Sequence, residues 1–575
     1  MVNNSSPEDT NGQNSSIVSH CPICKKIADK KCSGCHSISY CSSEHQKKHW
    51  KIHKNDCRMF AVKRNEMLGR YLVATRDIPQ GTVIFTEEPL TTGPKRCTYP
   101  VCLSCCKRVD GSYRCSKCTY PMCSEECEQN PLHAENECII FQRGLPVGSR
   151  ISNFDSICPA YECITPLRCL LLKERNSCKW EKLTTMEHHN ELRKSVPGLW
   201  NRNFVNVVKL LLEWYKMKED YDEEAINSVL GYIDVNCFEI KYKDVEKCGM
   251  YRDGALMSHE CVPNTHHAIS MSEDHKMIVR SSIPIKKGEM ITTSYANQLS
   301  GTRERRIFLK ETKYFDCMCG RCEDRTEFAT YLSGVKCTDC ATGYLLPKEP
   351  LCANSTDWVC TNSPDVQAQA PSISNGILSS SKPSGIICNK TMKEEQIHTI
   401  LKKAHKDVEE SRRSTSGSVV SRLERILKKY SGKILHPNHS ILLEVIKNLN
   451  YTYVKMYDDP EGSKNDIDLD RLIRSKTLCM QLLSVLDMLD PGLTRLRGVT
   501  LYQLSTPDFQ IARSKFQKKE IDIQEYKAAI EKVLAYLQTS KEILELDKIV
   551  TLWAHLYGRI VDQFDELHNI LNSLD

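Results

Sequence analysis

Cysteine spacing constrains this chain more than any other feature. Residues 18–60 carry Cys21-x2-Cys24, Cys32-x2-Cys35, Cys41-x3-His45 and His53-x3-Cys57, and residues 97–140 carry Cys102-x2-Cys105, Cys115-x2-Cys118, Cys123-x3-Cys127 and His133-x4-Cys138. Each block offers enough thiolate and imidazole donors for two closed tetrahedral zinc sites. Each block has few apolar residues from which to build a core. Interleaved pairing, first pair with third and second with fourth, builds a fold from so little, with folding linked to metal binding. Four such pairs in each block argue against buried free thiols. The absence of paired terminal histidines after a β-β-helix spacing argues against a DNA-reading finger.

Composition sets the compartment. The chain has 31 cysteines in 575 residues and a formal net charge of +6, too mild for a nucleic-acid footprint. The polar N-terminus lacks the apolar stretch of a secretory signal, and no run of about 18 apolar residues occurs, so neither secretion nor a membrane span is expected. Cysteines in a chain of that kind point to zinc rather than disulfides, and to residence in the cytoplasm or nucleus.

Between the blocks, within the segment 61–96, residues 68–93 alternate apolar and polar positions around Gly81, which predicts short strands and turns. Within the inserted segment 141–230, residues 160–225 are helical by periodicity, and 231–300 return to strand-like pieces such as HKMIVRSSIPIKKGEMITTSY. A third cluster, Cys317-x-Cys319-x2-Cys322, lies within 301–327, and a looser one, with Cys337, Cys340 and Cys360, lies within 328–392. That looser set leaves its fourth ligand open between Cys352 and Cys388. Residues 364–390 have the Ser/Pro/Ala composition of a linker, residues 1–17 that of a disordered tail, and 393–575 the periodicity of an antiparallel helical array. Cys163, Cys169, Cys178, Cys237 and Cys479, in apolar surroundings, are expected to be core thiols.

The first block, with its YCSSEHQKKHWKIHKNDC, resembles a MYND zinc finger, and the second resembles one more loosely. Three further stretches resemble a split SET domain: GRYLVATRDIPQGTVIFTE (69–87), GYIDVNCFEI (231–240) with SHECVPN (258–264), and KKGEMITTSY (286–295) with YFDCMCGRC (314–322). Together they resemble the SET-and-MYND (SMYD) protein-lysine methyltransferases, and most of all the arthropod SmydA branch. The implied fold is α+β: a split β-rich SET domain, one N-terminal and one inserted MYND-type finger, a zinc-bound post-SET segment and an all-α C-terminal array.

The resemblance also implies chemistry. Methyl transfer from S-adenosylmethionine (SAM) to a neutral lysine amine is mostly alignment at near-attack distance in a dry channel. Tyr295 falls at the family's catalytic tyrosine, and Gly69, Arg70, Asn236, His259 and Phe315 fall at cofactor-contacting positions. Cys261 completes the post-SET zinc site, since Cys317, Cys319 and Cys322 supply three of the four ligands a structural zinc requires. The expected partners are a lysine-bearing protein, histones among the candidates, and proline-containing peptides at the MYND fingers, with no membrane and no direct nucleic-acid binding. The sequence departs from the family where Tyr71 replaces the second glycine of GxG and Ser258 replaces the Asn of NHxC. Lys313 precedes Tyr314 and Phe315, close to where the family places a second tyrosine. A non-catalytic SET/MYND scaffold with a closed cofactor pocket is therefore the rival expectation.

Overall fold

The computed structural model describes residues 20–32, 38–242, 245–270, 274–352, 357–367, 387–457, 468–549 and 551–574. The expected tail at 1–17 and most of the linker at 364–390 lie outside these residues.

The strand-like stretches form several small sheets. Phe60–Asn65 and Gly69–Ala74 pair antiparallel, running from Phe60 opposite Ala74 to Asn65 opposite Gly69. Val83–Glu87, Met277–Ser281 and Thr265–Ile269 form a second sheet, and Thr92–Pro94, Val245–Met250 and Cys237–Tyr242 a third. Ser258–His259 runs parallel to Thr292–Thr293. Their inward apolar side chains, among them Phe60, Leu72, Ile84, Ile240, Met277, Val279 and Ile291, share one core. Chain segments far apart in sequence thus meet around one point, as a split domain requires.

One boundary moves. The sequence predicts strand character from residue 231, yet the helix Glu223–Asn236 runs on, and Asn236 closes its last turn. The side chain of Asp222 caps it by accepting the Ala225 N–H, and Ile226, Val229, Leu230 and Ile233 keep helical spacing on the buried face. Alternation begins only at Cys237.

The second cysteine block is not free-standing. Its Cys102, Cys115, Cys118 and Cys138 belong to the same core as Leu167, Leu170, Val207, Leu211 and Val229 of the helical insertion. Tyr120, Phe141 and Tyr215 stack across this junction, with ring centroids 4.8 and 4.3 Å apart. The first block has a separate small core of Cys21, Ala28, Cys32, Tyr40 and Cys57. Of the five expected core thiols, Cys163, Cys169 and Cys479 are buried and Cys237 is half-buried, but Cys178 is exposed. Its helix, Ser177–Thr184, buries only Leu183.

The C-terminal region is helical as expected, with Glu394–Arg413, Val419–Tyr430, Ser440–Tyr457, Leu469–Leu489, Arg495–Gln517, Ile523–Leu544 and Thr551–Ser573. It docks on the second sheet through charge. Arg280 donates to the carbonyls of Glu542 and Ile543 at 3.0 and 2.6 Å. Buried Asp547 pairs with Arg495 at 2.5 Å and with His266 at 3.2 Å.

Candidate functional site

Sulfur and imidazole atoms converge in sets whose ligand atoms lie within 4.8 Å of one another: Cys21, Cys24, Cys41 and His45; Cys102, Cys105, Cys123 and Cys127; Cys115, Cys118, His133 and Cys138; Cys261, Cys317, Cys319 and Cys322; and Cys337, Cys340, Cys360 and Cys388. The first three are the interleaved sets expected from spacing. In the N-terminal block, His53 Nε2 lies 3.3 Å and Cys57 Sγ 3.9 Å from Cys32 Sγ, while Cys35 falls outside the described residues. The open ligand of the looser cluster resolves to Cys388, and Cys352 is exposed. Donor sets of four cysteines, or of three cysteines and one histidine, fit structural zinc.

The third set has an outer shell that spacing did not reveal. His133 faces Cys118 Sγ with Nε2 at 3.6 Å, and its Nδ1 lies 3.0 Å from Glu137 Oε1. Arg168, from the helix Ile164–Arg175, grips both oxygens of Glu137 at 2.6 and 2.9 Å. Burial alone pushes the Glu137 carboxyl up, but the Arg168 guanidinium and His133 outweigh it and hold it below the usual range. An anion at Nδ1 fixes the tautomer that presents Nε2 to a metal. Glu137→Gln is expected to weaken zinc retention at this set by about 10–100-fold, read by competition with a chromophoric chelator. Retention equal to the parent would remove Glu137 from that role.

The fourth set is held by a buried ion network, also unforeseen. Arg305, on the helix Thr302–Lys313, donates to Cys261 Sγ at 3.2 Å and Cys322 Sγ at 3.5 Å, and pairs with Glu327 at 2.6 Å. Arg321 pairs with the same carboxylate at 2.9 Å and donates to the Cys261 carbonyl at 3.2 Å.

From Cys261 the contacts lead to Tyr295. His259 Nδ1 accepts the Tyr295 backbone N–H at 3.0 Å, which leaves its Nε2 as the protonated nitrogen, 3.3 Å from Cys261 Sγ. The Tyr295 hydroxyl donates to the Met257 carbonyl at 2.5 Å. Burial pushes that hydroxyl well above the ordinary phenol range, so it keeps its proton. With the hydrogen committed to Met257, the lone pairs of the oxygen are turned to what lies opposite. The rings of His259, Tyr295 and Phe315 form one cluster, with centroids 5.3 to 6.5 Å apart. Asn264, quoted in the motif but given no role by the sequence, aligns the two strands: its Oδ1 accepts the Thr292 N–H at 2.8 Å and its Nδ2 donates to the Met290 carbonyl at 2.7 Å.

Gly69, Arg70 and Asn236 gather on a second side. Arg70 donates to the Thr185 carbonyl and lies 3.5 Å from Glu187. Asn236 Nδ2 donates to the carbonyls of Glu187 and Tyr232 at 2.8 and 2.9 Å. Gly69 has φ +65°, the left-handed region that glycine enters without strain. The two sides are joined by Lys313, whose Nζ donates to the Val235 carbonyl at 2.5 Å and sits 5.7 Å from the centre of the Tyr295 ring. After Lys313, Tyr314 takes φ +62°, ending the helix and turning Phe315 back onto His259.

Against known families, residues 21–57 match the MYND finger and residues 69–296 match the SET domain. The chain therefore carries a MYND-type finger and a SET-type domain. Its relatives include the SET domain-containing protein SmydA-8, isoform A, of Drosophila melanogaster, 27% identical over 323 residues, 54% of this chain and 66% of that protein. The N-lysine methyltransferase SMYD2-B of Xenopus laevis is 26% identical over 283 residues, 47% of this chain and 62% of the relative. The human histone-lysine N-methyltransferase SMYD1 is 24% identical over 288 residues, 47% of this chain and 56% of the relative. The chain thus spans between about half and two thirds of the length of these relatives. The second cysteine block, 97–140, lies inside the SET match, so the matched stretch is interrupted by two converging sets of cysteine and histidine side chains. Among the described residues no helix is long and apolar enough to cross a membrane.

Proposed function

We propose that this chain is a SAM-dependent protein-lysine N-methyltransferase. One observation carries the reading: a tyrosine hydroxyl, fixed by a backbone carbonyl inside an aromatic cluster, is tied through one histidine to a four-sulfur set. Bound SAM supplies a methylsulfonium as the methyl donor. Asn236, His259, Phe315 and the Gly69-Arg70 turn are the residues to hold it. Tyr295 keeps its proton and transfers none. Its lone pairs accept an N–H of the incoming amine and so orient the amine lone pair, a contribution of alignment rather than acid–base chemistry. The zinc sets keep the segment carrying Phe315 in place. The acceptor is a lysine-bearing protein, and the MYND finger recruits proline-containing partners.

A second reading has an observation of its own. Arg70 and Asn236, both expected at the cofactor, hydrogen-bond to residues 185–187 instead, as a scaffold with a closed pocket requires. Calorimetry of SAM with zinc-replete protein, beside a Tyr71→Gly variant, decides between them. Micromolar binding by the parent is the expected result. No binding, with rescue by the glycine, would establish the scaffold.

A further inference from the structure

Cys337, Cys340, Cys360 and Cys388 lie beyond both matched stretches, so neither the MYND finger nor the SET domain accounts for them. They gather at one end of a four-stranded antiparallel sheet of Val335–Lys336, Tyr344–Pro347, Asp357–Cys360 and Thr391–Lys393. The sulfurs of Cys337 and Cys388 are 3.8 Å apart and those of Cys340 and Cys360 3.6 Å, contacts rather than disulfide bonds. Three of the four face an N–H. Asp339 donates to Cys337 at 3.4 Å, the Asn362 backbone to Cys360 at 3.5 Å and the Asn362 side chain to Cys340 at 3.5 Å. Donors turned on sulfur favour thiolates and orient them for a metal. Gly343 passes so close that a methyl group there would collide with the sulfurs of Cys340 and Cys360.

This sheet is wedged between the helical array and the candidate site. On one side Leu345 and Trp358 share a core with Ile397, Leu427 and Leu442 of the array. The Lys336 N–H donates to the Ile434 carbonyl and the His436 N–H to the Gly334 carbonyl, both at 2.8 Å, and the fourth strand runs straight into the helix Glu394–Arg413. On the other side Arg306 donates to the Pro350 carbonyl at 2.9 Å and to the Cys317 carbonyl at 3.1 Å. Leu351 packs on the Cys261 set beside Tyr295 and Phe315. Strands of two to four residues are too short to hold such a sheet by pairing alone. We propose that the four cysteines bind a zinc ion that acts as a bracket, fastening the helical array to the wall of the candidate site. Metal affinity then becomes folding energy for the sheet, and loss of the ion frees Pro350 and Leu351 from the Cys261 set. The bracket does not depend on the methyltransferase reading.

The test compares full-length Cys388→Ser with Cys352→Ser, whose thiol is exposed and outside the set. Elemental analysis is expected to show about one zinc ion per chain lost from Cys388→Ser and none from Cys352→Ser. Amide hydrogen exchange, read by peptide mass spectrometry, should be at least about tenfold faster over 306–322 in Cys388→Ser and unchanged over 102–138. Parental zinc content in Cys388→Ser would overturn the site, and parental exchange over 306–322 would overturn the bracket. Should the serine variant fail to fold, the parent still decides the site. Maleimide is expected to label half-buried Cys340 at least about tenfold more slowly than exposed Cys352, and a chelator to remove most of that lag. Equal labelling before chelation, or a lag that a chelator leaves unchanged, would overturn it.

Discussion

Tyr295→Phe is expected to lower methyl transfer by about 100-fold or more while SAM affinity changes by less than about threefold, because a small loss of alignment at a reacting centre has an effect of that order. The hydroxyl is the only group removed. Its hydrogen bond to the Met257 carbonyl contributes about 1 kcal/mol to stability, so unfolding should move by no more than about that amount. The ring stays, together with its packing on His259 and Phe315. The measurement is release of S-adenosylhomocysteine with mixed core histones as acceptor, alongside calorimetry for the cofactor. A drop in kcat at constant cofactor affinity assigns Tyr295 to the reacting amine. An unchanged rate would remove it from the mechanism, and a loss of SAM binding would make it a cofactor residue instead.

The sequence was most legible where chemistry demands fixed spacing. A CxxC pair can serve one metal only in a tight turn, so the interleaved sets around Cys21, Cys102 and Cys115 could be written down before any coordinates. Cys317, Cys319 and Cys322 called for a fourth ligand, and the family resemblance placed it at the distant Cys261, where the structure has it. Spacing is silent about the outer shell. Arg168 lies 31 residues from Glu137 and reaches it only because the helical insertion packs on the second zinc block. Arg305 and Glu327, 22 residues apart, meet because the Thr302–Lys313 helix and the turn after Cys322 fold onto the same cluster. His133-x3-Glu137 was the one local hint, an acid one helical turn from a metal-binding histidine. Asn236 shows the other kind of miss. Its motif was visible, but as the last residue of a helix its amide is engaged by the helix and by Glu187, and no pattern of residue types reports that competition.

Glu327→Gln is expected to lower stability by about 3–5 kcal/mol, the cost of leaving buried charge without its partner. Arg305, Arg321 and Glu327 are all essentially without solvent contact, with relative exposures of 1% each. One carboxylate serves both guanidiniums, and a neutral amide would leave two cations in the interior beside the Cys261 set. Backbone strain adds to the effect. Glu327, Phe328 and Ala329 take φ of +51°, +58° and +60° in succession, a left-handed turn that costs non-glycine residues about 1–2 kcal/mol each and persists only while its surroundings fix it. Burial by itself raises the Glu327 carboxyl, but the two arginines outweigh it and its pKa lies below the ordinary range. Its contribution is therefore complete above the unfolded carboxylate pKa and fades as pH falls through the lower folded value. Denaturant unfolding of parent and variant at neutral pH should show the full difference, and the gap should narrow under acid. Because Arg305 also donates to Cys261 and Cys322, the variant should lose zinc from that set first, before the Cys21 and Cys102 sets. A variant as stable as the parent, with full zinc, would mean that Arg305 is held by the sulfurs and both arginines by the carbonyls of Ser300 and Cys261, without the carboxylate.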